Sequence, residues 1–230
     1  MRPRARLRSR DDLIAWAAQL DAITAEALAA RESLSLLSAR ARLVAAVRDG
    51  QLARHRPLAN SPALYTVTRA GLRTATLDGF KPTRVSAAGA QHMISCAYVA
   101  AVLARHYPDR LVIGERALRR RERDLGALLA SVALGFSETH ASGMHRPDLV
   151  LLPEAGQRCR PLAVEVELTV KAPSRLRAIC RAWARAHHVE GVIYLAAPGV
   201  APALERAIEL TRAAQRVVVV PLTALEQWAV

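Results

Sequence analysis

The segment Leu162-Ala163-Val164-Glu165-Val166-Glu167-Leu168-Thr169-Val170-Lys171 alternates without a break. Leu162, Val164, Val166, Leu168 and Val170 share one parity; Glu165, Glu167, Thr169 and Lys171 share the other. Side chains on a strand point to opposite faces in turn, so the pattern predicts a strand with one apolar and one ionisable face. Upstream, Arg146-Pro147-Asp148-Leu149-Val150-Leu151-Leu152 predicts a second strand, and the turn-forming stretch Pro153 to Arg160 joins the two as a hairpin. A hairpin centred near Gly156 sets Asp148 opposite Glu165, because both lie equally far from that centre. Asp148, Glu165 and Glu167 then crowd one cleft, expected to open to solvent with Val164, Val166 and Leu168 buried behind it. Like charges at that range repel unless a cation or shared proton neutralises them. An oxygen-ligand site of the Mg2+ type, with Mn2+ as substitute, is the chemistry that such a cluster predicts.

The chain of 230 residues has room for one large domain or two small ones, and 52% hydrophobic residues suffice for a core. No uninterrupted apolar run approaches the roughly 20 residues of a membrane helix. The basic start, Met1 to Arg10, is followed by no apolar signal core, and Cys96, Cys159 and Cys180 lack CxxC spacing. Neither a disulfide framework nor a zinc site is indicated, and the expected compartment is the cytoplasm. A formal net charge of +13 calls for a polyanionic partner, most simply nucleic acid. Of the 33 basic residues only Lys81 and Lys171 are lysine, so arginine is the default cation here. Aromatic residues make up 4%, which leaves little for stacking on single-stranded bases.

Residues 11–84 form one predicted unit. Leu13, Trp16, Ala17, Leu20, Ile23, Ala27 and Leu28 recur at helical spacing after Asp11-Asp12, and a second helix runs from about Leu34 to Asp49, stopping at Gly50. A basic loop containing Arg54, His55 and Arg56 then leads into a strand near Ala63 to Thr68. Residues 1–84 hold 15 basic residues against 7 acidic ones. A linker helix is expected within residues 85–110, from about Gly89 to His106. Beyond it the pattern turns to α/β: a strand near Leu111, an arginine-rich helix opened by Glu115, the hairpin, and then helix, strand, helix and strand to about Val220, with a short helix at the end.

These elements carry three resemblances. Helix, glycine stop, basic loop and the stretch Leu64-Tyr65-Thr66-Val67-Thr68-Arg69-Ala70-Gly71 resemble a winged helix-turn-helix domain. That resemblance implies Arg40, Arg42 and Arg48 on a recognition helix and Arg54 and Arg56 on the wing, all contacting double-stranded DNA. Residues 111–221, with Pro147-Asp148 and Glu165-Val166-Glu167, resemble the PD-(D/E)xK restriction-endonuclease-like fold, which implies a divalent-metal-dependent endodeoxyribonuclease. Asp148 and Glu165 would be its acids, Glu167 stands where the motif lysine is usual, and Glu115 sits where the fold often places a further metal ligand. Glu-x-Glu variants occur among restriction enzymes. The order of motifs over the whole chain is similar to the replication-relaxation proteins of plasmids and other mobile elements.

The expected architecture is therefore α+β: a winged helix over 1–84, a linker helix over 85–110 and a nuclease-like α/β domain over 111–230. Asp148, Glu165, Glu167 and Lys171 are its candidate catalytic residues, and Asp148, Glu165, Glu167 and Glu115 its candidate metal ligands. Along an extended strand Lys171 lies roughly 13 Å beyond Glu167, so it replaces the missing lysine only if the chain bends before Pro173. Without that bend its expected role is a phosphate contact, with a merely solvated lysine as the alternative. His140 and His145 flank the Asp148 strand, where the residues alone favour a solvated loop. His187 and His188 diverge too far on a helix to share a ligand. Duplex DNA is the expected partner, no membrane is involved, and a homodimer is left open. Glu167 in place of lysine favours a non-enzymatic regulator of replication or transcription; retention of Asp148, Glu165 and Glu115 favours the enzyme.

Overall fold

A computed structural model describes Leu7 and residues 9–135, 143–154 and 156–225. The protein is a mixed α+β chain of two compact units, which divide between Asp109 and Arg110.

The first unit runs α1 (Arg10–Gln19), α2 (Ala25–Glu32), α3 (Leu36–Arg48), β1 (Leu52–His55), β2 (Leu64–Val67), α4 (Arg69–Thr74) and α5 (Ala87–His106). The helical periodicity from Leu13 to Leu28 predicts one helix, but the structure has two. Asp21 takes a left-handed backbone (φ 70°). Ile23 then turns extended and exchanges both backbone hydrogen bonds with Tyr65, at 3.0 and 2.8 Å. Thr24 restarts the helix by accepting from the Ala27 amide at 3.0 Å. Ile23 is fully buried in this bridge, as it would be on a helix, so the apolar period cannot reveal the break. β1 and β2 pair antiparallel from Leu52↔Val67 to His55↔Leu64. The loop between them folds back, with Leu58 packed on the buried cluster of Ala22, Leu64 and Ala90.

The helix expected as a linker is α5, and it packs against α2 within the first unit. Among the described residues it is the one helix long and apolar enough to cross a membrane by length and composition, with a mean hydropathy of 1.4. Here Ala97 and Val99 to Ala104 are buried in the protein.

The second unit comprises β3 (Arg110–Gly114), α6 (Glu115–Leu125), β4 (Val132–Ala133), β5 (Met144–His145), β6 (Leu149–Pro153), β7 (Leu162–Glu167), α7 (Pro173–Ala184), β8 (Gly191–Ala196), α8 (Ala201–Thr211) and β9 (Val217–Pro221). Five strands form one sheet in the order β3-β6-β7-β8-β9, and β4 pairs with β5 as a separate ribbon. Strands β3, β6 and β7 are antiparallel neighbours, whereas β7, β8 and β9 run parallel with α7 and α8 as crossovers. Leu149 pairs with Val164 and Leu151 with Leu162. This register carries on to Asp148 opposite Glu165, as the expected centre of the hairpin requires.

One expectation fails. Strand β7 lies in the middle of the sheet, and Ala163, Val164, Glu165, Val166 and Glu167 are all buried. The parity that was to face solvent is covered too, while Leu168 is only half-buried and Val170 is 56% exposed. The face that carries the acids is covered by α7, whose Cys180 lies near Glu165 and whose Trp183 meets His145, so alternation separates the faces without exposing either.

The stretch around Thr68 has a packing reason. Its hydroxyl donates to the Gly50 carbonyl at 2.6 Å and accepts from the Gly71 amide at 3.0 Å, tying the start of α4 to the base of the hairpin. At Gly71 a Cβ would stand 2.3 Å from the Gln51 carbonyl oxygen. Alanine in a helix gains about 0.5–1 kcal/mol over glycine, but forcing a methyl into a filled backbone contact costs about 1–3 kcal/mol. We expect Gly71→Ala to lower stability by about 1–2 kcal/mol in urea unfolding, given these magnitudes. A raised midpoint would mean that the backbone of Gln51 yields.

Candidate functional site

In the second unit, the start of β6 and the C-terminal half of β7 bring acidic groups together on one face of the sheet. Asp148 lies just before β6, and its Oδ2 accepts from the Val166 amide at 2.8 Å, taking up a donor of β7 beyond the paired residues. Glu165 is 2% exposed and Glu167 5% exposed. The expected solvent-open cluster is instead a buried one. Burial pushes the Glu165 carboxyl above its ordinary value and the neighbouring charge of Asp148 adds to this; His145, by charge and hydrogen bond, and Lys171 pull the other way.

His145, in β5, reaches Glu165 with a 2.5 Å contact between Nε2 and Oε1. Its ring stands edge-on to Trp183 of α7, centroids 5.7 Å apart. The solvated-loop reading of this histidine is overturned. The residues between β4 and β5 hid it, because nothing in their pattern announces the Val132↔His145 pairing that turns it toward the sheet. His140 lies outside the described residues. Tyr194 pairs with Glu165 across β7 and β8. Burial, then the charge of Glu165, drives its phenol well above the ordinary value. Cys180 of α7 follows the same logic, pushed to about 11 by burial and then by Glu165.

Lys171 also departs from the extended-strand estimate. The strand ends at Glu167, the chain bends through residues 168–172, and Lys171 turns back to form an ion pair with Glu167. A lysine therefore enters the cluster, although the motif position itself is glutamate. Glu115 follows the Gly114↔Leu149 pair, so its backbone lies level with Asp148. Its carboxylate, however, is partly exposed on the first turn of α6 and holds Arg119 at 2.7 Å. Its expected role as a ligand is not what this arrangement displays.

Asp148, Glu165 and Glu167 supply oxygen donors only, a set that hard divalent cations take. Each carboxylate is nonetheless turned to a protein partner: Asp148 to the Val166 amide, Glu165 to His145, Glu167 to Lys171. Among the described residues, these three do not bring donor atoms within 4.8 Å of one another. The donor chemistry fits a cation; a closed three-carboxylate shell is not formed.

Glu122 of α6 was not singled out from the sequence, where it reads as one more charge on an arginine-rich helix. Its Oε1 accepts from the amides of Leu129, Ala130 and Ser131 at 2.9, 3.1 and 2.9 Å, and the Ser131 hydroxyl donates to Oε2 at 2.5 Å. Burial alone would raise its carboxyl; the Ser131 hydroxyl and these amides outweigh that and hold it below the ordinary range. Glu122 thereby fixes the approach to β4 and, through the ribbon, the strand that carries His145. His188 adds a 3.0 Å contact to the Ser131 carbonyl, while His187 turns to Arg216; α7 ends at Ala184, so the two diverge in the turn beyond it and not on the helix expected to hold them.

The first unit carries a separate basic cleft between α3 and the β1–β2 hairpin. Arg40, Arg54 and Arg56 line it together with Glu26, Val44 and Tyr65. Arg40 contacts Glu26 at 3.5 Å and stays 56% exposed. Arg48 is exposed on the same helix beside Asp49. Arg42 departs from its expected role: it is half-buried and donates to the Leu7 carbonyl at 3.1 Å, which ties Leu7 to α3. Compared with models of known protein families, with curated proteins and with solved structures, the chain matches none.

The Glu165 carboxyl gives a stability test. Its value in the folded protein lies above that of the unfolded chain, so its contribution is fully present below the ordinary carboxylate range and is lost as pH rises through the folded value. Glu165→Gln removes that loss. We expect the variant to melt higher than the parent at pH 7.5, with the gap closing toward pH 4. A variant less stable at both pH values would mean that the His145 contact outweighs the burial of charge.

Proposed function

We propose that the protein binds double-stranded DNA, with the first unit acting as a winged helix and the second as a PD-(D/E)xK nuclease-like domain, in the manner of the replication-relaxation proteins of plasmids and mobile elements. The observation that carries this reading is the cleft where Arg40, Arg54 and Arg56 meet between α3 and the hairpin. A helix and a two-stranded ribbon with cations facing a shared cleft can engage a groove and its flanking phosphates at once. The order of three helices, a bridge at Ile23 and a hairpin supports it, and so does the net charge of +13.

Metal-dependent cleavage is the second reading, favoured by the gathering of Asp148, Glu165, Glu167 and Lys171 at the start of β6 and the end of β7. Asp148 and Glu165 would hold Mg2+ or Mn2+, which would activate water and stabilise charge on a phosphate. Lys171 neutralises Glu167, and His145 is positioned to exchange a proton with Glu165 Oε1. Against cleavage stands the depth of both glutamates, which suits a regulator whose nuclease-like domain serves assembly.

Duplex binding should fall steeply with salt, by a slope of about 0.9 per phosphate neutralised. We expect Arg40→Ala/Arg54→Ala/Arg56→Ala to weaken binding to a duplex in fluorescence anisotropy by at least tenfold, whereas Arg42→Ala lowers the melting temperature with little direct effect on affinity. Equal losses of affinity from both would remove the cleft as the DNA surface. Plasmid nicking with Mn2+ that Asp148→Ala abolishes, with duplex binding retained, would decide for the enzyme.

A further inference from the structure

A second basic feature lies in the second unit, in a groove of about 480 Å3 between α7 and α8. Lys171, Arg177 and Arg206 line it, over a floor that includes Leu176, Ala207 and Leu210, and no acidic side chain is among its lining residues. Leu176 and Ala207 are buried, while Leu210 is 61% exposed. Most arginines near an acid in this unit find it: Arg110 pairs with Glu190, Arg119 with Glu115 and Arg120 with Asp124. The guanidinium groups of Arg177 and Arg206 have no ion pair or hydrogen bond among the described residues, and Lys171 reaches out of the groove to Glu167. Arg177 on α7 and Arg206 on α8 line the same groove, so an anion lying in it would offset their mutual repulsion.

We propose that this groove holds the sugar-phosphate backbone of a DNA strand that passes the Asp148–Glu165–Glu167 cluster. The inference rests on the DNA-binding reading above and adds to it a contact surface in the second unit. Charge complementarity selects the occupant: two cations without an acid, beside a lysine held by Glu167, call for a string of phosphates, and the apolar floor accepts the deoxyribose faces between them. Continuity with the acidic cluster sets the direction. A phosphate in the groove competes with Glu167 for Lys171, so a bound strand frees the Glu167 carboxylate at the point where the backbone passes. The groove and the cluster are thus coupled through one lysine.

The test compares two pairs on the same helices in the full chain. Arg177→Ala/Arg206→Ala removes the groove cations; Arg185→Ala/Arg212→Ala removes exposed arginines at the opposite ends of α7 and α8. With a 30-base-pair duplex, the groove pair should lower the slope of log affinity against log salt by about 2, as expected for two lost phosphate contacts. The control pair should leave it within error, with unchanged circular dichroism in both variants. Arg177→Lys/Arg206→Lys should restore the slope, which a merely structural role for the arginines would not require. Wild-type binding with equal slopes for the groove and control pairs overturns the groove and leaves the first-unit cleft standing. Absence of any duplex binding by the wild type overturns the DNA reading and the groove with it.

Discussion

The second unit is organised around a carboxylate that sits where carboxylates are costly. Glu165 is in the central strand of a five-stranded sheet, covered on its own face by α7 and its neighbours. A charge there is tolerable only with close partners, and the surroundings supply them: His145 from the β4–β5 ribbon and Lys171 from the bend after β7. Each partner depends on a further device. His145 is held by the pairing with Val132, which follows the loop gripped by Glu122. Lys171 is delivered because β7 stops at Glu167 instead of running to Val170. A carboxyl this deeply buried and pushed upward is the kind of perturbed group that gathers at functional sites, though ion-pair networks perturb carboxyls in the same way.

The first unit solves a different electrostatic problem. Arg40, Arg54 and Arg56 stay in water around one cleft, where ion pairs such as Arg40–Glu26 contribute little to stability. Arg42 shows the contrast: the same residue type on the same helix, turned inward, becomes a tether for Leu7. Position on the helix decides which arginine faces the cleft and which holds the fold.

Much of this was legible from residue order. The Asp148–Glu165 register followed from the symmetry of the hairpin about its turn, since pairing is fixed once the turn is. The helices α3, α5, α6, α7 and α8 and the strands of the main sheet follow period and breaker residues within a few positions. Harder to see were features in which a local pattern fits two structures. Ile23 is apolar whether it extends α1 or bridges Tyr65, and only the hydrogen bonds of the hairpin choose between them.

The sequence by itself determined the two-faced strand, the pairing of acids across it and the cationic excess, because these depend on neighbours along the chain or on symmetry about a turn. Tertiary structure decided burial, partner and reach. It put both faces of β7 out of water, brought His145 to Glu165 from twenty residues away, bent Lys171 back to Glu167 and left Glu115 with Arg119. Those outcomes hinge on which elements cover a face and where a strand stops. Both are set by contacts between segments far apart in the chain, which no local pattern encodes.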